Sequence, residues 1–128
     1  VLSFTRARST RSAFALGAVL ALGACGGSGG NTAAPVGAQV TIADATFSPA
    51  EISITAGDSV QWTNTSATER HNILPVVAGS FAKHETLIKN GEKVTITFTK
   101  AGDYAYYCSI HGSPTSGQRG VVHVTGIN

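Results

Sequence analysis

A chain of 128 residues with nine Lys/Arg, seven Asp/Glu and 42% apolar residues has room for one domain at most. Three of the nine cations, Arg6, Arg8 and Arg11, crowd the opening; without them six cations face seven anions, and no basic stripe remains to bind nucleic acid. With two cysteines and no methionine, the chain has at most one internal disulfide and no thioether ligand.

The three arginines form a basic n-region, and Ala13 to Ala24 (AFALGAVLALGA) follows without a charge. That stretch is shorter than the roughly 20 apolar residues of a membrane-spanning helix, so residues 1–24 read as a signal peptide. Leu22-Gly23-Ala24-Cys25 resembles the bacterial lipobox, which implies a lipidated Cys25 as the first mature residue. Residues 25–37 then form a Gly/Ser/Asn tether, and the expected location is extracytoplasmic, at a membrane, with a monomeric domain over 38–128. In an oxidising compartment two cysteines usually pair, but with Cys25 assigned to lipid Cys108 is left free, and a free thiol there calls for a chemical role such as metal binding.

From Ala38 onward short β-branched and aromatic runs alternate with turn residues. Gln39 to Ala43, Glu51 to Thr55, Ser59 to Asn64, Lys93 to Thr99, Asp103 to Cys108 and Gly120 to Thr125 fit strands. Ala56-Gly57-Asp58, Asn90-Gly91-Glu92 and Ala101-Gly102-Asp103 separate some of them. Such spacing predicts an all-β antiparallel sandwich or barrel. Period two puts Val94, Ile96 and Phe98 on one face, and Tyr104, Tyr106 and Cys108 on another; Val122 and Val124 point inward, which turns His123 outward. A body of about ninety residues buries roughly 60–68% of its chain surface, enough to stand without a disulfide.

Cys108 and His111 stand three apart where the last aromatic strand ends in a Gly/Pro/Ser loop, and His71-Asn72 follows the polar loop Thr65 to Arg70. A thiolate and two neutral imidazoles, with a weak axial fourth ligand, suit both Cu(I) and Cu(II). Together with Gly57-Asp58-x-Val60-x-Trp62-x-Asn64, Gly91-Glu92-x-Val94-x-Ile96-x-Phe98, Gly102-Asp103-Tyr104-x-Tyr106-Tyr107-Cys108 and Gly117-x-x-Gly120-Val121-Val122, these residues resemble the cupredoxin, or blue copper, family, in its small plastocyanin-like form.

The resemblance covers nearly all of residues 38–128 and implies a Greek-key β-sandwich holding one type 1 copper on His71, Cys108 and His111. It implies a backbone N–H of Asn72 donating to the Cys108 sulfur, and His111 near the surface as the edge for electron exchange. Where the family's axial methionine stands, this chain has Gln118, resembling the stellacyanin branch. Gln118 either turns inward as an axial oxygen donor, or turns outward and leaves three ligands or a distant carbonyl near Arg70. Tyr107 is either a second route for electrons or a plain surface tyrosine, and His84 and His123 have no assigned role.

Competing readings carry less. Structural zinc prefers four firm ligands, and a cysteine hydrolase needs an oriented base and an oxyanion loop. Loop histidines with no metal leave the motif order unexplained. Copper buffering or delivery is the functional alternative, though Cu(I) delivery favours exposed methionines and paired cysteines, which the chain lacks. One mononuclear site in one small domain reads as a carrier that passes single electrons between redox protein donors and acceptors, not as an enzyme.

Overall fold

The computed structural model describes residues 34–127; the leader, Cys25 and the tether up to residue 33 lie outside the described residues. Nine strands follow in order: β1 (Val36–Ala43), β2 (Thr46–Ser48), β3 (Glu51–Thr55), β4 (Ser59–Asn64), β5 (His71–Pro75), β6 (His84–Ile88), β7 (Lys93–Thr97), β8 (Gly102–Gly112) and β9 (Gly117–Thr125). Six of these are the runs picked out by alternation. The other three, β2, β5 and β6, are short and mix His, Pro and Glu with apolar residues, so their extended form comes from pairing with neighbours rather than local propensity. β1 begins at Val36, inside the expected tether, because Ser59 anchors the entering chain: its N–H donates to Pro35 O at 2.8 Å and its hydroxyl to the same oxygen at 3.0 Å.

The strands form a four-stranded sheet, β2-β1-β4-β7, and a five-stranded sheet, β3-β9-β8-β5-β6. This is the all-β sandwich expected from the sequence, with one correction: the sheets are mixed, since β1 pairs β4 and β3 pairs β9 in parallel. After β2 the chain crosses to the opposite sheet for β3 and returns for β4, which therefore runs in the same direction as β1. Local alternation shows which face a side chain takes; it does not show which strand comes alongside.

Inward residues from both sheets fill the space between them. Val40 and Ile42 of β1, Val60 and Trp62 of β4, Tyr106 and Cys108 of β8, and Val122 and Val124 of β9 are buried, as the period of two predicts. Tyr106 packs edge-on against Phe47 (ring centroids 4.8 Å) and Trp62 (5.3 Å), a geometry aromatic quadrupoles favour. Burial raises the Tyr106 hydroxyl pKa to about 12. The ring has room because position 120 is glycine: a Cβ there would strike the Tyr106 ring and meet the Ala50 carbonyl oxygen at 2.9 Å.

His123 lies on the outer face of β9, half-exposed, and meets acidic groups from both flanking strands: its Nδ1 is 2.7 Å from Asp103 Oδ1 on β8 and its Nε2 is 3.9 Å from Glu51 on β3. The hydrogen bond to Asp103, more than the other contacts, raises its pKa above the ordinary 6.5. A raised folded-state pKa stabilises the fold fully below the unfolded value and loses that contribution as pH rises through the folded value. NMR titration of the His123 ring is expected to show a midpoint above 6.5 that falls back toward it in Asp103→Asn; an unmoved midpoint in that variant would remove Asp103 as the cause.

Candidate metal centre

β8 and β9 pair regularly from Gly102↔Val124 to Tyr107↔Arg119, and then the register breaks before resuming at Gly112↔Gly117. Five steps along β8 thus face two along β9, and the excess chain, Cys108 to His111, bulges from the ladder. The sequence pattern ends the strand at Cys108 and puts His111 in a loop; the strand instead runs to Gly112, with both ligand candidates in its bulge. Gly117 permits the close return: its φ is +79°, and a Cβ would lie 2.7 Å from the Gly112 Cα.

His71 opens β5, which pairs with β8 through Leu74↔Tyr107 and so brings the imidazole to the same end of the sheet. The potential ligand atoms of His71, Cys108 and His111 all lie within 4.8 Å of one another. Cys108 and His71 are fully buried, and His71 Nδ1 is 3.8 Å from Cys108 Sγ. His111 is partly exposed, its ring centroid 5.1 Å from that of His71.

Gln118 turns inward. It is 1% exposed, with Oε1 3.0 Å from His71 Nδ1, and its Nε2 donates to Thr46 O at 3.1 Å, which fixes the amide's orientation. Of the alternatives left open by the sequence, the structure therefore has the glutamine oxygen beside the cluster rather than in solvent.

Burial lowers the His71 pKa, with His111 adding to the effect; the Gln118 hydrogen bond, Glu69 and Asp44 act against it. A neutral imidazole is the ligand form, so burial prepares His71 to bind a metal. His71 Nε2 and His111 Nδ1 are buried with no hydrogen-bond partner, whereas His111 Nε2 lies 3.2 Å from Glu69 Oε2. His71 Nδ1, beside the buried thiol and the amide oxygen, and the orphaned His111 Nδ1 fit a metal ion as their common partner.

Asn72 ties the two elements together by a route that the resemblance did not imply. Its Oδ1 accepts from the Ser109 N–H at 2.9 Å and its Nδ2 donates to the Ser109 hydroxyl at 2.8 Å, clamping β5 onto the bulge next to Cys108. Glu69 and Thr46, the groups that touch His111 and Gln118, were missed by sequence reasoning: each lies more than forty positions from its contact, with no spacing signal to join them. Tyr107 is half-buried and lines an outer pocket with Leu74, Pro75 and Phe81, away from the cluster.

A β-sandwich with a His, Cys, His cluster at one end of its sheets defines the class of small metal-binding β-domains. Residues 34–125 match the family described as copper binding proteins, plastocyanin/azurin family, and the chain belongs to that family. It is 40% identical over 73 residues to the chloroplastic plastocyanin of Tetradesmus obliquus, covering 51% of this chain and 50% of that one. A solved structure of an oxidised amicyanin variant shares 33% identity at a TM-score of 0.59, over 70% of this chain and 82% of that one. A copper-containing nitrite reductase from Thermus scotoductus matches at 27% identity and a TM-score of 0.61, over 73% of this chain but 23% of the enzyme. The chain spans about half the length of the curated relatives it matches first.

Proposed function

We propose that the chain is a one-electron carrier holding a single type 1 copper on His71, Cys108 and His111, with the Gln118 oxygen as the weak axial donor. The observation that carries this reading is the cluster itself: a buried thiol, two imidazoles with ligand atoms within 4.8 Å of one another and of the sulfur, and an inward amide oxygen. Copper bound there supplies reversible exchange of one electron. The protein's part is to hold the donors in place: the β8 bulge sets Cys108 and His111, the Asn72–Ser109 clamp locks β5 to that bulge, and the Gln118–Thr46 bond fixes the axial oxygen. A rigid donor set limits rearrangement between oxidation states, and the core around Cys108 keeps water from the sulfur.

Family membership, with plastocyanin and amicyanin among the similar proteins, supports a carrier. The match to nitrite reductase covers under a quarter of that enzyme, and a cluster of three His, Cys or acidic residues able to hold a metal occurs once among the described residues, which favours a carrier over an enzyme. The electron donors and acceptors are larger redox proteins. The proposed location is extracytoplasmic, with a lipid on Cys25 as the tether; the charged n-region, the apolar stretch and Leu22-Gly23-Ala24-Cys25 support it. Membrane fractionation tests the tether, since a Cys25→Ser chain that stays membrane-bound would remove it.

Titrating the chain with Cu(II) tests the site. The expected result is an intense blue or green thiolate-to-copper band that saturates at about one equivalent. A colourless protein that takes zinc as readily would show that the fold persists without the redox function, and copper lost at once to a weak chelator would favour delivery.

A further inference from the structure

The loop between β4 and β5 is pinned through its backbone. Asn64, fully buried, donates from Nδ2 to the Glu69 carbonyl oxygen at 2.9 Å and to that of Ile88 at 2.8 Å, and its Oδ1 accepts from the Ser66 N–H at 2.9 Å. Ser66 Oγ in turn accepts from the Glu69 N–H at 3.1 Å. Both backbone groups of Glu69 are thus tied without help from its side chain. The carboxylate is left to a different contact, 3.2 Å from His111 Nε2.

We propose that Glu69 is a positioning residue for the metal centre: its carboxylate beside His111 Nε2 favours the proton on that nitrogen, which leaves Nδ1 as the donor nitrogen and biases the centre toward Cu(II). The proposal rests on the copper reading above. A partly exposed pair of this kind contributes little to stability. Its effect falls instead on the ring. An imidazole with a carboxylate beside its distal nitrogen favours the tautomer protonated there and a more basic ligand nitrogen. The nearby negative charge adds to this, favouring the more highly charged metal state. His111 Nδ1 is buried and has no other partner, so the tautomer that Glu69 selects is the one the cluster needs.

The test compares the full chain with Glu69→Gln and Glu69→Ala, and with Glu85→Gln as a control that removes one carboxylate from the surface pair with Lys83. Glu69→Gln keeps both backbone anchors and the side-chain length, so it tests the charge even if Glu69→Ala folds poorly. Cu(II) and Cu(I) affinities are read by chelator competition, the potential by voltammetry, and the His111 ring N–H by NMR of the Cu(I)-loaded chain. For Glu69→Gln, Cu(II) affinity is expected to fall about tenfold with a smaller change for Cu(I). Each tenfold difference between the two states raises the potential by about 59 mV, and the ring N–H signal should move when the charge beside it is removed. Affinities and potential that move no further than in the control overturn the proposal, as does an equal loss for both copper states. A chain that develops no copper band before any substitution overturns the copper reading and this inference together; a blue chain unaffected by Glu69→Gln overturns this inference alone.

Discussion

Replacing Cys108 with serine is expected to abolish the visible band entirely while leaving the fold in place. The band requires a thiolate bound to copper, and a serine hydroxyl neither ionises at neutral pH nor donates as a soft ligand. Cys108 is the one free cysteine among the described residues and is fully buried, so no neighbouring thiol replaces it. Serine is nearly the same size, and its hydroxyl, placed in an apolar core, costs about 1–3 kcal/mol if it finds no partner. The fold should tolerate that loss, so far-ultraviolet circular dichroism recorded beside the copper titration separates a lost ligand from a lost structure. A band of undiminished intensity in the folded variant would place copper elsewhere on the chain.

The second large effect concerns the axial position. Gln118→Met is expected to raise the reduction potential, because a thioether favours Cu(I) and an amide oxygen favours Cu(II). A tenfold to hundredfold change in relative preference corresponds to about 60–120 mV for one electron. The same substitution leaves the Thr46 carbonyl without the Gln118 donor, which costs roughly 0.5–1.5 kcal/mol of stability. Voltammetry and thermal unfolding therefore give independent readings. Gln118→Leu separates the two causes of a raised potential, loss of the oxygen and gain of the sulfur. A potential that stays level or falls in the methionine variant removes Gln118 from the axial role.

If Glu69 also acts as proposed, its effect is separable from that of Gln118. Gln118 Oε1 sits at His71, whereas Glu69 reaches the outer nitrogen of His111. Both oxygens favour Cu(II), and because both act through one copper ion, the double variant measures how far their shifts in potential depart from a simple sum. A carrier with both devices would work at a lower potential than a methionine-ligated relative without the carboxylate.

Residue order settles part of this. Alternation in Lys93 to Thr99, Asp103 to Cys108 and Gly120 to Thr125 assigns the faces of three core strands, and Tyr106, Cys108, Val122 and Val124 are buried as that pattern requires. Residue type and motif order single out His71, Cys108 and His111, and the fold brings them together. Such signals are legible because the strand period is local and because few side chains bind copper well. The parallel pairings, the strands β2, β5 and β6, the bulge that carries Cys108 and His111, the inward turn of Gln118 and the approach of Glu69 to His111 were decided by the tertiary structure. Each depends on how strands pair or on a single side-chain contact, and neither leaves a periodic trace in the sequence.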